Sequence, residues 1–414
     1  SKKGHTLVFL WNAEGRRFMD LYAYHPDSAR LVRLTNLEPA RDDLNRSEEE
    51  KDERLRQNLP PAGGLTDFHL AEDGSRAAFS YKGDLYVVGT DGARPPFRLT
   101  RTKTSESAPQ FSPDGAKLAF TRSRQIHVQD MANGQLWQVT DIGEADGSLT
   151  GYRWSPDGRW FVYMARKGKG RQTVLPNYSG RFVSARAFPR DVAGDEMREA
   201  GLYVVPADGG KVQALETSPW GARLYAELPE WSPDSSRLLL VARHPRHKQQ
   251  QVLVIDRRSG KAHLLHEEKD DKWVNFAHAA WSPDSRMVLF TSERDGWSHL
   301  YVAPAGGGTP VQLTKGAFEV RAEMSSFDPQ WVGGWIYFAS TEAGTSERHF
   351  YRIRPDGSDK QKLSVGAGLN LGFVSEDDLH TAWLKADLKN PLDLYVGDRR
   401  VTTSPPGEFQ KYAW

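Results

Sequence analysis

One short element recurs through this chain and limits what it can fold into. It reads Asp20-Leu21-Tyr22-Ala23-Tyr24, Asp84-Leu85-Tyr86-Val87-Val88, Gly201-Leu202-Tyr203-Val204-Val205, His299-Leu300-Tyr301-Val302-Ala303 and Asp393-Leu394-Tyr395-Val396-Gly397. Three looser copies fill the gaps: Gln125-Ile126-His127-Val128, Gln251-Val252-Leu253-Val254 and Phe350-Tyr351-Arg352-Ile353. With 22, 86, 127, 203, 253, 301, 351 and 395 as equivalent positions, the spacings are 64, 41, 76, 50, 48, 50 and 44 residues. A fixed period of this size is the mark of stacked repeats.

Two further elements keep step with the first. A turn precedes most copies: Phe111-Ser112-Pro113-Asp114-Gly115, Trp154-Ser155-Pro156-Asp157-Gly158, Trp231-Ser232-Pro233-Asp234-Ser235 and Trp281-Ser282-Pro283-Asp284-Ser285, with Ala71-Glu72-Asp73-Gly74 a weaker version. Proline presets φ, Ser or Asp caps the turn, and Gly accepts the exit geometry. The repeated Asp is therefore read as a turn residue, not a catalytic acid or metal ligand. A closing strand follows, as in Arg33-Leu34-Thr35, Arg98-Leu99-Thr100, Gln138-Val139-Thr140, Gln312-Leu313-Thr314 and Lys362-Leu363-Ser364. Asp91-Gly92, Asn133-Gly134, Ser259-Gly260 and Asp356-Gly357 supply the hairpin turns before it.

Four strands per repeat, eight times over, predict an all-β fold: an eight-bladed β-propeller of four-stranded antiparallel blades. The expected blades are 4–36, 64–101, 105–140, 148–216, 222–266, 273–315, 316–364 and 365–403, forming one domain over 1–403. Two spacings exceed the period and predict insertions at about 38–62 and 166–200. The first carries twelve charged residues between Arg41 and Arg56, the pattern of a solvated helix. The second holds Leu175-Pro176-Asn177-Tyr178-Ser179-Gly180-Arg181-Phe182, a long aromatic loop of the kind that often carries function.

The composition narrows the function. Lys+Arg 55 against Asp+Glu 54 gives no field to steer onto nucleic acid. Cys 0 excludes disulfides and thiolate chemistry. No apolar run approaches the ~18 residues of a membrane span, and Ser1-Lys2-Lys3-Gly4 shows no apolar signal core, so any targeting segment is expected to lie outside this sequence. No Gly-x-Ser-x-Gly elbow is present. His244 and His247 flank a proline in an expected exposed hairpin tip, and His263 and His266 read as structural. Gly306-Gly307-Gly308 lacks the Lys of a phosphate loop and reads as a turn. No metal, no cofactor and no active site built by this chain alone are expected.

Particular stretches resemble one family. Tyr81-Lys82-Gly83-Asp84-Leu85-Tyr86, Gly151-Tyr152-x-Trp154-Ser155-Pro156-Asp157-Gly158, Ser292-Glu293-Arg294-Asp295-Gly296-Trp297-x-His299-Leu300-Tyr301 and Gln312-Leu313-Thr314-Lys315-Gly316-Ala317-Phe318-Glu319-Val320 resemble the N-terminal propeller of dipeptidyl peptidase IV-like serine peptidases, in the prolyl oligopeptidase family. Thr402-Thr403-Ser404-Pro405 through Trp414 looks like that family's passage into an α/β-hydrolase domain, so 404–414 is expected to begin a linker. The resemblance implies a non-catalytic domain that gates and positions peptide substrates, a hydrolase domain in the parent chain, a homodimeric parent, and a periplasmic or secreted bacterial location. The chain alone is expected to be inactive and the parent a serine peptidase.

The resemblance also implies substrate-binding residues. A fourth-blade pair of glutamates holds the substrate amine in the family; counting back from Gly151 puts it at Glu144 and Ala145, with Asp146 adjacent. Only one carboxylate of the pair is present, which departs from the dipeptide-releasing pattern. The substrate-positioning arginine falls at Arg122 or Arg124. The rival reading is a stand-alone TolB-type propeller that binds a protein partner; a third is a complete propeller enzyme.

Overall fold

A computed structural model describes residues 5–13, 18–37, 64–168, 170–178, 181–189, 195, 197–320 and 328–404. The expected insertion at about 38–62 and the linker beyond Ser404 lie outside these residues.

The chain forms eight antiparallel blade sheets in sequence order, the eight-bladed β-propeller read from the repeats. Most have four strands. The second runs His69–Leu70, Arg76–Tyr81, Asp84–Gly89 and Phe97–Arg98. Two depart from the expected four. The first has three among the described residues, Leu7–Trp11, Asp20–His25 and Arg30–Arg33. In the fifth the first strand is split into Tyr225–Ala226 and Glu230–Trp231, both pairing with Arg237–Arg243. Pro229 lies in the break and has no N–H for the ladder.

Two compact units can be distinguished: 1–138 with 289–302 and 310–414, and 139–288 with 303–309. In the first, five blades share a fastening device at the repeated strand. The residue two before the repeat tyrosine position is a buried acid or histidine: Asp20, Asp84, His299, His349 or Asp393. Each faces the hydroxyl that ends the closing strand or a neighbour of it. Thr35 donates to Asp20 at 2.8 Å and Thr402 to Asp393 at 2.9 Å. His299 and His349 meet Thr314 and Ser364 at 3.0 and 2.9 Å. The same hydroxyls accept the N–H of Leu21, Leu300, Phe350 and Leu394, and Thr100 accepts that of Leu85. Arg33, Arg98 and Arg400 pair with Asp20, Asp84 and Asp393. A buried carboxylate is tolerated because each of its oxygens finds a donor, an arginine on one of them.

In the second unit the turns do the fastening. Ser155, Ser232 and Ser282 donate to Asp157, Asp234 and Asp284 at 2.5–2.6 Å, and Ser112 to Asp114 likewise in the first unit. The Asp carboxylates also accept backbone N–H groups two residues on. Where the motif ends in Ser rather than Gly, Ser235 and Ser285 hold φ of 61° and 62°, unfavourable for a side-chain-bearing residue. Their hydroxyls accept the N–H of Asp157 and Asp234 on the preceding blade's turn. Trp231 and Trp281, nearly fully buried, donate to the carbonyls of Arg153 and Glu230 on the preceding blade. Each indole is thus packed between two blades. Trp154 is buried against Phe161, ring centroids 4.1 Å apart. A core of Val162, Leu202, Val204, Leu224, Leu238, Leu240 and Ile255 lies between the fourth and fifth sheets.

Candidate functional site

The fourth blade builds the segment that the sequence points to. Its strands are Ser148–Trp154, Trp160–Lys167, Glu199–Pro206 and Gln213–Ala214. Just before the first, Glu144–Asp146 makes a single 3-10 turn. Gly147 seats this turn on the second strand: its φ is +103°, and a Cβ there would lie 2.3 Å from the Arg166 carbonyl oxygen. Only glycine allows that approach. The ladder Ser148↔Arg166 and Leu149↔Ala165 follows at once, with a bulge before Gly151.

Glu144 and Asp146 are both exposed, and their carboxylates carry no hydrogen bond or ion pair among the described residues. Tyr163 lies close enough to feel Asp146, stacked on Tyr203 with centroids 5.1 Å apart. Burial, then Tyr203 and Asp146, push the Tyr163 phenol well above its ordinary pKa, so it stays protonated. Gly201 makes room for this pair, since a Cβ there would sit 2.5 Å from the Tyr203 hydroxyl. The tyrosine pair was not foreseen as part of the site, although Tyr203 stands in the repeat. Chemically, the turn offers two accessible carboxylates to a cation.

The two candidate arginines belong to the other unit. Arg122, on the strand Lys117–Arg122, donates through Nε and Nη2 to Glu106 Oε1 at 2.9 and 2.5 Å. Glu106 is fully buried and also accepts from Thr102 at 3.1 Å and from Thr100. Arg122 thus neutralises a buried carboxylate. Arg124 is exposed in a tight turn, where Ser123 and Arg124 hold φ of 51° and 64°.

The 166–200 insertion, expected as a long loop, contains a two-stranded hairpin, Gln172–Asn177 with Ser184–Pro189. Val174, Leu175, Tyr178, Phe182 and Val183 are each more than half exposed on it.

The fifth-blade histidines need correction. His244 and His247 do sit at a hairpin tip, closed by the His247 N–H on the His244 carbonyl at 2.8 Å. They are half-buried rather than exposed: His247 is stacked between Tyr225 and Trp273, 4.6 Å from each. Burial and the Arg243 charge lower its pKa. His263 meets the Ala305 carbonyl at 2.9 Å and His266 lies 3.6 Å from Glu268, both structural contacts. Gly307 and Gly308 take positive φ, as a turn requires. Among the described residues no three His, Cys, Asp or Glu are arranged to hold a metal ion, and no helix is long and apolar enough to cross a membrane.

Known proteins resemble this chain in sequence and in fold. A probable dipeptidyl peptidase 4 of Aspergillus flavus is 23% identical over 311 residues, covering 66% of this chain and 39% of the relative. One from Neosartorya fischeri is 25% identical over 278 residues, 59% of this chain and 35% of the relative. The chain thus spans less than half the length of these relatives. The crystal structure of Porphyromonas gingivalis dipeptidyl peptidase 4 superimposes with a TM-score of 0.72 at 16% identity, over 99% of this chain and 59% of that one. A family model, the dipeptidyl peptidase IV (DPP IV) N-terminal region, matches residues 79–378. With well over half its length matched, this chain belongs to the dipeptidyl peptidase IV N-terminal region family.

Proposed function

We propose that this chain is the non-catalytic propeller of a dipeptidyl peptidase IV-like serine peptidase, with an α/β-hydrolase domain supplied by the same parent polypeptide beyond the 404–414 linker. It gates and positions peptides and performs no bond cleavage itself. The family match over 79–378 carries this reading and favours it over a stand-alone protein-binding propeller. The exposed hairpin of the 166–200 insertion, with its apolar side chains, is a surface through which a parent dimer would pair.

Within this reading, Glu144 and Asp146 receive the free amino group of the peptide. They are accessible, lack competing partners among the described residues, and stand on a turn anchored by Gly147. The substrate-positioning arginine is Arg122, which also holds the buried Glu106 carboxylate, or Arg124 in the turn beside it. An exposed carboxylate–ammonium pair contributes about 1 kcal/mol or less. In the parent enzyme, Glu144→Gln should therefore raise KM for free-amine dipeptide amides by up to about fivefold, and leave N-acetylated substrates unchanged. Equal effects on both substrate types would remove the amine-anchoring role.

A further inference from the structure

The hairpin tip of the fifth blade and the segment after its last strand enclose a groove of about 490 Å³, lined by His244, Arg246, Lys248, Gln249, Lys269, Asp270 and Asp271. The peptide-positioning reading does not use it. Its walls are tied together: the Asp270 N–H donates to the Lys248 carbonyl at 3.1 Å, and the Val274 N–H to the His247 carbonyl at 2.8 Å. The tip is closed by the His244 N–H on the Gln249 carbonyl at 2.8 Å. Such walls are organised before any ligand arrives.

The charges in the groove are not equivalent. Asp270 is used internally, accepting the N–H groups of Lys272 and Trp273 at 2.7 and 3.0 Å. Lys269 is paired with Glu267 at 2.6 Å, and Gln249 donates to the same carboxylate at 2.5 Å. The side chains of Arg246 and Lys248 have no hydrogen bond or ion pair among the described residues; Asp271 is the one acid there in the same condition. His244 Nδ1 accepts the Arg246 N–H at 3.2 Å. A neutral imidazole so held carries its proton on Nε2 and is a donor there. Trp220 meets the ring edge-on at 5.3 Å and limits its rotation. Arg246, Lys248 and a fixed N–H donor line the groove with Asp271 and with Asp270, whose charge Lys248 also feels. That balance suits an oxygen-bearing anion.

We propose that this groove is a binding site for an oxyanion, a carboxylate or a phosphate, held by Arg246, Lys248 and His244. Burial and the Arg246 charge hold the His244 pKa below its ordinary value in the empty groove. With Nδ1 accepting the Arg246 N–H, the imidazole stays neutral and offers its Nε2–H to the anion.

Calorimetric titration at low salt separates the sources, with inorganic phosphate in one arm and an N-acetylated triglutamate amide in the other. One-to-one saturable binding of either probe is expected, weakened at least tenfold by Arg246→Gln with Lys248→Gln. Asp271→Asn should tighten it several-fold. At pH 8, where the imidazole is neutral, His244→Phe should weaken the peptide several-fold by removing the Nε2–H donor. Both lysine and arginine changes fall on exposed side chains and should leave thermal unfolding unchanged. The proposal is overturned if neither probe saturates, or if the double variant binds as tightly as the unaltered chain.

Discussion

The fourth and fifth blades differ from the first, second, sixth, seventh and eighth at one position. Where five blades place Asp20, Asp84, His299, His349 and Asp393, the fourth has Gly201 and the fifth Gln251. In the five, that side chain ties the opening of one strand to the end of another. In the fourth, its absence leaves space for the Tyr163–Tyr203 stack beside Asp146. In the fifth, Gln251 turns to Glu267 at 2.8 Å. The fourth is held by Trp231 and Ser235 of the fifth reaching back to it, and the fifth by Trp281 and Ser285 of the sixth, a blade that also keeps its own clamp. The same sheet can thus be fastened within itself or to its neighbour. The two blades without the clamp residue carry the candidate amine anchor and the groove at the fifth-blade tip.

The largest effect should come from the between-blade fastening. Trp231→Ala removes a nearly fully buried indole and its hydrogen bond to Arg153, and should cost about 3–5 kcal/mol in denaturant unfolding. An unchanged midpoint would deny the indole its packing role. Next comes the within-blade clamp. Asp393→Ala leaves Arg400, the Thr402 hydroxyl and the Ser404 N–H without their shared acceptor, a loss of about 3 kcal/mol. The matching change in the fifth blade, Gln251→Ala, should cost about 1 kcal/mol. Equal losses at the two positions would erase the distinction between the blades. Ser285→Ala should cost about 1 kcal/mol by leaving the Asp234 N–H unpaired.

Acid should sharpen the same contrast. The turn acids Asp114 and Asp284 are held below the ordinary carboxylate pKa, chiefly by the hydroxyls of Ser112 and Ser282. A depressed folded value means that their stabilisation is complete above the unfolded pKa of about 3.9 and is lost as pH falls through the folded value. Asp284→Asn should flatten the loss of stability below pH 4. His69 behaves differently: burial lowers its pKa, and its Nδ1 accepts the Phe111 N–H at 3.2 Å. Its folded value is also depressed, so its contribution is present above about pH 6.5 and lost as pH falls below that. Urea melts at pH 7 and pH 5 should show a drop that His69→Gln reduces.

The blades were legible in the sequence because turn and strand residues recur in step, as Ser232-Pro233-Asp234 and Ser282-Pro283-Asp284 do. The clamp was visible as a pattern, Asp or His before Leu-Tyr and Arg-Leu-Thr after it, but pairing Asp20 with Thr35 requires knowing that the two strands lie side by side. Arg122 could not be assigned from local reading, since Glu106 stands sixteen residues away across a strand pair. The partial burial of His247 depends on Trp273, brought onto it from beyond another strand. The hairpin inside 166–200 went unseen because Gln172–Asn177 lacks the alternation of a half-buried strand; both its faces are largely exposed. Glu144 entered only by its distance from Gly151, through family resemblance, because an exposed acid in a short turn has no local signature of its own.

The central claim is that this propeller supplies recognition and no chemistry. Serine peptidase catalysis needs a nucleophile, a base within about 3 Å and an oxyanion hole held together. The most direct measurement incubates the purified chain with free-amine dipeptide amides and follows release of the amine. The rate should equal the buffer blank. Turnover that survives repurification and disappears on substituting Glu144 or Asp146 would contradict the account and place an active site within the propeller itself.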